Sequence, residues 1–397
     1  MSATAPIPDL RTVGKPPLWR DVRVLRWVLQ LAVVAAVAAV IMYLGGNLST
    51  NLAARNLPTG FGWLDGRFGS AIPGVEDAAN LTYRQAFIVG YTNTVRVILF
   101  GIPGCTIIGI LIGIARLSDN LAVRAFGTAY VETFRNVPAL VWIFIAHFAI
   151  ALSALPRIED APAGGGFIVS NRGIGIPWLN PVADRWLFVA GILVSFLVVW
   201  MVLVWRRKVN EKTGKPANGL LWGTLAFLGA AAVANFVAGN ALALEGANLD
   251  DAGRNIVGGM TVQIPYFSLT VALTLYTASH VAEVVRGAIL AIHKGQTEAA
   301  NAIALSTFQR YRFIILPQAF RIMIPPLANQ YLNITKNSSL AVAVSYIEIT
   351  AIFGRGANNA APATFVIIVL MLMYLSFSLS ISLVANFFNR RLALESR

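Results

Sequence analysis

Few side chains in this sequence are placed to do chemistry. Glu283 and Arg286 stand one helical turn apart inside the apolar run 265–292, with His280 one turn before them. Asn333 and Lys336 lie between later apolar runs, and Asn93 opens an earlier one. A charged group within an apolar span costs about 3 kcal/mol on insertion scales, so such residues should face protein or water. Glu283 and Arg286 at i, i+3 can meet that demand by neutralising each other. A gate, or a contact to a polar solute, would use the same pair. The structural reading weighs more, because helical ion pairs at this spacing are common. Lys336 stays evenly divided between meeting an anionic solute group and capping carbonyls or snorkelling. Asn93, His280, Glu283, Asn333 and Lys336 are therefore the candidate lining of a polar path. For Asn93 and Thr94, hydrogen bonding between helices is slightly favoured.

Other chemistry is missing. Gly214-Lys215 is followed by Pro216, and no G-x-x-x-x-G-K-[ST] occurs elsewhere. The chain does not supply a P-loop ATPase of its own. There is no H-E-x-x-H, no Cys/His cluster and no Ser-His-Asp set, so neither a catalytic residue nor a metal ligand is expected. Cys105 is the only cysteine and reads as a small core residue. His147 reads as a buried hydrogen-bonding residue. Any energy source must lie outside this chain, and the chain is not read as an enzyme.

The elements that position these residues follow from composition. Of 397 residues, 57% are hydrophobic and 12% charged, whereas a soluble chain carries roughly 25% charged residues. Several apolar runs reach about 20 residues, the length that spans a bilayer. The expected fold is an all-α polytopic membrane protein of about eight transmembrane helices. The net charge of +13 comes from basic residues at the ends of apolar runs. That is the positive-inside pattern and not a nucleic-acid surface.

In chain order we expect a Pro-rich, basic cytoplasmic tail (1–26), a first transmembrane helix (27–44) ended at Gly45-Gly46-Asn47, and an outside loop (45–85). A larger membrane domain (86–388) follows, then a short cytoplasmic tail (389–397). Its spans are 87–115, 139–155, 186–205, 220–237, 265–292, one starting at Pro317, and 363–388. Residues 116–138 are expected in the cytoplasm, with Glu132 and Arg135 pairing at i, i+3. Residues 156–184, 240–262 and 348–362 are expected outside as loops or turns. Pro325-Pro326 should kink or unwind its helix. Both termini are expected inside.

Residues 294–317 form the basic loop between two spans. Thr297 to Leu305 are mostly strong helix formers. Ser306 and Gln309 have capping-box spacing, which starts a second helix. Phe308, Tyr311 and Ile315 should share one face of it at the membrane interface. Pro317 should stop it.

This loop resembles the cytoplasmic coupling loop of ABC-importer permeases: Glu298-Ala299-Ala300, then a Gly six residues after the Glu, then an aliphatic-Leu-Pro end, here Ile315-Leu316-Pro317. Ala304 stands where the family has Gly. A right-handed Ala304 costs nothing, and one at positive φ costs about 1 kcal/mol. Further stretches resemble the polar-amino-acid members: Gly90 to Val95, Phe134-Arg135-Asn136-Val137-Pro138, Ala282-Glu283-Val284-Val285-Arg286, Ile324 to Tyr331, and Lys336-Asn337-Ser338-Ser339-Leu340. The resemblance covers about 86–388, leaving the first helix and a hairpin at 186–239 as additions. A chain of this size looks like the larger permease of bacterial general L-amino-acid or glutamate/glutamine/aspartate/asparagine importers, with the type I ABC importer fold.

The resemblance implies a multi-pass protein of the bacterial inner membrane working by alternating access. It implies a second, related permease, a periplasmic amino-acid-binding protein, and two ATPase subunits that hold ATP and Mg. This chain would bind no cofactor. Gln296, Glu298, Ala299, Ala300, Ala304 and Leu305 would form the contact to the ATPase. An ion-coupled secondary transporter is the alternative. It would want inverted repeats with paired broken helices, and the sequence offers one Pro-Pro break.

Overall fold

The computed structural model describes residues 21–55, 60–75, 77, 80–180, 184–214, 218–358 and 362–392. Most of the N-terminal tail, residues 393–397 and the Lys215-Pro216 break lie outside the described residues. Six described helices are long and apolar enough to cross a membrane, and eight spans result if two bent helix pairs each count as one.

The first helix, α1 (Val22–Ala54), runs past Gly45-Gly46, where the sequence suggested a turn. A helical glycine costs about 1 kcal/mol relative to alanine. In an apolar medium, however, an unpaired backbone costs more than that. The Ser49 and Thr50 hydroxyls also donate to the Gly46 carbonyl, at 2.8 and 3.0 Å. The connection after α1 is not a loose cap. Trp63, Phe68 and Ile72 are buried with Tyr83, Phe87, Ile352 and Val366 in a second apolar cluster.

A Thr82–Gln85 capping box starts α2 (Tyr83–Ala115), four residues earlier than expected. Residues 121–136, expected as part of a cytoplasmic segment, form α3 (Leu121–Asn136), which packs on the central helix described below. Pro138 turns the chain by 103° into α4 (Ala139–Phe144) and a π-helical stretch, Ile145–Leu152. There His147 is buried and its Nδ1 lies 2.9 Å from Ser268 Oγ, as expected of a hydrogen-bonding residue.

Residues 163–179 and 244–263 carry short strands. β1 (Ala163–Gly164), β2 (Phe167–Val169) and β3 (Gly173–Ile176) form an antiparallel meander, and β3 pairs in turn with β8 (Met260–Gln263). β4 (Trp178–Leu179) pairs with β5 (Leu244–Glu245), and β6 (Asn248–Leu249) with β7 (Ile256–Val257). Most are two residues long, too short to show a period of two. In the turn after β6, Asp250 accepts the backbone N–H groups of Arg254 and Asn255, which hold its carboxyl below the usual range. The hairpin α5 (Arg185–Thr213) and α6 (Gly219–Val237) packs chiefly on itself, with the Arg206 guanidinium 4.6 Å from the Trp222 ring. α5 runs beyond Trp205 and stops at left-handed Gly214.

β8 leads without a break into α7 (Ile264–Leu290), the most buried span, 61% enclosed. α7 lies along α2, whose Gly101, Gly104, Gly109 and Gly113 face Ile334, Thr274, Val281 and Val285. After α7 come α8 (Lys294–Ala302), α9 (Thr307–Arg310), a π-helical turn (Tyr311–Ile315) and α10 (Leu316–Asn337). α10 stays helical through Pro325-Pro326, so of the expected kink or unwinding the unwinding does not occur. It passes into a 3₁₀ stretch, Ser338–Val344, and the break falls at left-handed Ser345, with a bend of 54° into α11 (Ile349–Asn358). A helix therefore stands where a turn was expected. α12 (Ala363–Leu392) closes the bundle.

Candidate functional site

The stretch 294–317 folds as two short helices with a break, and local chemistry explains each end. His293 Nδ1 accepts the Gly295 N–H at 3.1 Å and caps α8. At its far end Leu305 N–H donates to Ala300 O (3.1 Å), and Ala304 N–H to Asn301 O (3.0 Å). This pair of bonds is a Schellman motif, which needs a left-handed residue at the position of Ala304. Ala304 has φ of 54°, so the turn carries the strain of an alanine where glycine would sit freely. Ala304→Gly should stabilise the loop by about 1 kcal/mol. Amide hydrogen exchange at Ala304 and Leu305 checks this: slower exchange in the variant is expected, and faster exchange would contradict the strain.

Next comes the expected capping box. Gln309 N–H donates to Ser306 Oγ at 3.3 Å, and Ser306 N–H to Gln309 Oε1 at 2.9 Å. α9 then does not stop at Pro317. The π-helical turn lets Leu316 N–H reach back to Tyr311 O, and Pro317 sits in the first turn of α10, where its missing N–H costs little. Ile315 is buried and Tyr311 packs on the main core, while Phe308 is 71% exposed.

α8 is fastened to this frame by its inner side. Ala300 is fully buried, Arg310 Nη1 donates to Asn301 Oδ1 (2.9 Å), and Gln318 Nε2 to Gln296 Oε1 (3.4 Å). Glu298, Ala299 and Ile303 are left exposed, as are Gln296 and Ala304, and Leu305 is half-buried. The arrangement presents a short, doubly capped helix with one acid and small side chains outward.

A second feature lies where α2, α3 and α7 meet. The Glu283 carboxylate gathers three guanidinium groups. Arg286 Nη2 lies 2.5 Å from Oε1, Arg116 Nη1 is in close contact with Oε2, and Arg135 Nη1 is 4.0 Å from Oε2. The expected pair Glu283–Arg286 is thus present. Arg135 is turned to Glu283 and not to Glu132, because α3 packs against α7. Arg116, Glu132, Arg135, Asn136, His280 and Glu283 line a polar cleft of about 440 Å³. His280 also packs edge-on against Tyr276.

The five path candidates do not converge. His280 and Glu283 share the cleft. Asn93 is near the opposite end of α2, where Nδ2 donates to Ile347 O (2.7 Å) and its backbone carbonyl accepts from Tyr346 Oη (3.2 Å). Asn333 and Lys336 are exposed, one turn apart on α10. Arg116 and Arg135 were missed as partners of Glu283. Their one sequence signal is that basic residues collect at span ends.

Comparison with known proteins places this geometry. Residues 106–394 match the family described as binding-protein-dependent transport system inner membrane component. The general L-amino acid transport system permease protein AapQ of Rhizobium johnstonii is 37% identical over 93% of this chain and 92% of its own. The putative amino-acid ABC transporter permease protein YhdX of Escherichia coli is 36% identical over 94% and 95%. The glutamate/glutamine/aspartate/asparagine transport system permease protein BztB of Rhodobacter capsulatus is 33% identical over 95% and 96%. With its bundle of long apolar helices and a family match over most of its length, this chain belongs to the inner membrane components of binding-protein-dependent transport systems.

Proposed function

We propose that this chain is the permease subunit of an ATP-driven importer of polar L-amino acids, with acidic amino acids and their amides the favoured substrates. The observation that carries the reading is α8: capped at both ends, anchored through Ala300, and presenting Glu298 and Ala299 outward. The substrate class rests on the three relatives, whose names specify amino acids. In this reading a periplasmic binding protein delivers the amino acid to the outer face. Two ATPase subunits, holding ATP and Mg, close on the cytoplasmic side, and a second related permease completes the pathway. Gln296, Glu298, Ala299, Ala300, Ala304 and Leu305 form the contact that receives the ATPase motion. α8 follows α7 after three residues, so displacement of α8 reaches Glu283 along one helix. The partner shifts the bundle between states only by its difference in binding energy for them. The family match favours this reading over an ion-coupled carrier.

Glu298→Lys tests the contact, because the side chain is exposed and the change leaves the fold alone. Vanadate-sensitive amino-acid uptake should fall several-fold at unchanged membrane level, and ATPase co-purification should weaken with it. Uptake that continues unaltered and follows an ion gradient would sink the proposal.

A further inference from the structure

The transport reading makes no use of Glu348, a fully buried carboxyl at the joint between the 3₁₀ stretch and α11. Among the described residues it takes part in no ion pair. Its two oxygens meet different partners. Oε1 accepts two backbone N–H groups, Thr350 at 2.7 Å and Ala351 at 3.1 Å. Oε2 faces two hydroxyls, Tyr374 Oη at 3.0 Å from α12 and Thr94 Oγ1 at 3.5 Å from α2.

Each hydroxyl has another acceptor. Thr94 Oγ1 lies 3.1 Å from the Gly90 carbonyl, and Tyr374 Oη lies 3.1 Å from Thr350 Oγ1. Both can therefore turn their hydrogens away and offer lone pairs to Oε2. One oxygen bonded only by donors, and one facing groups free to accept, is the arrangement that fits a carboxylic acid with its proton on Oε2. An ionised group here would be a buried charge with no cation, which proteins avoid by neutralising the group.

Among the described residues the surroundings offer no counter-charge. On α11 itself, Arg355 donates to the Ala71 carbonyl. On α2, Arg96 is exposed and donates to Asn93 Oδ1. On α7, Tyr266 packs its ring near that of Tyr346 in the connector. Lys336, before the 3₁₀ stretch, is exposed. α12 contributes Tyr374. The N-terminus of α11 is the one feature that favours an anion, and both of its N–H groups also serve a neutral acid.

We infer that Glu348 is a proton-binding site, a neutral carboxylic acid that seals the α10–α11 joint against α2 and α12. The joint is built for a tight seat. A Cβ at Gly90 would come within 3.2 Å of the Ile349 backbone, so α11 enters a notch in α2. The neutral acid lets that seat close without burying a charge. A conformation that lifts α11 out of the notch would expose the acid to water, so raising the pH favours such a conformation. The inference holds whatever the solute is.

Infrared difference spectroscopy on the full complex, purified with its partners in lipid nanodiscs at neutral pH, tests it. Wild type minus Glu348→Gln should show the C=O stretch of an un-ionised carboxylic acid. Tyr374→Phe should shift that band and not remove it. Glu348→Gln, which matches the neutral acid in shape and can donate to the same hydroxyls, should unfold at nearly the wild-type temperature, while Glu348→Ala should be clearly destabilised. Absence of the acid band, or a glutamine variant as unstable as the alanine one, overturns the inference. If the glutamine variant fails to fold, that counts against it directly, and the Tyr374→Phe shift remains as an independent reading.

Discussion

Gly109→Leu is expected to abolish folded protein in the membrane. α2 and α7 lie against each other along the glycine face of α2. A Cβ built on Gly109 falls 2.4 Å from Val281 Cγ1 and 3.0 Å from the Ala278 carbonyl oxygen. At Gly113 it falls 2.8 Å from the Ala282 carbonyl oxygen. A side-chain tip can rotate away, but a carbonyl in a buried helix cannot without moving the helix. Overpacking a core by a few methylenes costs about 1–3 kcal/mol, occasionally more, and here the obstacle is backbone, so the upper end applies. Small residues are what lets membrane helices approach this closely, and the contact is lost when one is enlarged. α7 carries Glu283 and leads into α8, so separating it from α2 removes both features of the site. Monodisperse protein after detergent extraction, followed by a C-terminal fluorescent tag, should vanish for Gly109→Leu and fall for Gly109→Ala. Adding Val281→Ala to Gly109→Ala should recover part of it. A leucine variant that elutes and melts like wild type would show that the interface is looser than drawn.

The glycine face, like the rest of the bundle, shows what a sequence can reveal. The membrane spans were legible because apolar length is a local signal, and the Ser306–Gln309 capping box because four residues define it. The strain at Ala304 was visible as a question: only the Schellman bonds to Ala300 and Asn301 say that the turn is left-handed. Other features depended on context. α1 passes its glycines because lipid makes an open backbone costly. The Pro325-Pro326 pair leaves α10 helical, and the break falls at Ser345, whose sequence surroundings give no warning. The cluster around Glu283 was half legible. Arg286 lies on the same turn, but Arg116 is 167 residues away and arrives only when α2 packs on α7. Likewise the hydroxyls around Glu348 come from α2 and α12, and no local pattern joins them.

Glu283→Gln should be the most damaging polar change in the bundle. The carboxylate sits among three guanidinium groups, so removing its charge leaves three like charges converging, with Glu132 the other acid lining the cleft. Breaking a fully buried pair costs about 3–5 kcal/mol, because the remaining charge is stranded. Glu283 keeps 28% of its side chain exposed, so water screens part of that, and about 1–2 kcal/mol is the expectation after the discount. The geometry ranks the partners. Arg116 is the most enclosed and in closest contact, and Arg286 follows at 2.5 Å. Arg135, at 4.0 Å and 43% exposed, should matter least. Arg116→Gln should cost less than Glu283→Gln, since the acid keeps two cations, and Arg135→Gln should fall within the small range of surface pairs. The double variant Arg116→Gln with Glu283→Gln should be more stable than the sum of the single losses, because it removes one of the stranded charges. Thermal unfolding of wild type, the two single variants and the double variant in one detergent gives this cycle, with Arg135→Gln measured beside them. Strict additivity, or an Arg135→Gln loss equal to that of Glu283→Gln, would mean that the cluster is a loose collection of surface charges. Coupling concentrated between Arg116 and Glu283 would instead identify a clasp that ties the end of α2 to α7, one helix before the exposed face of α8.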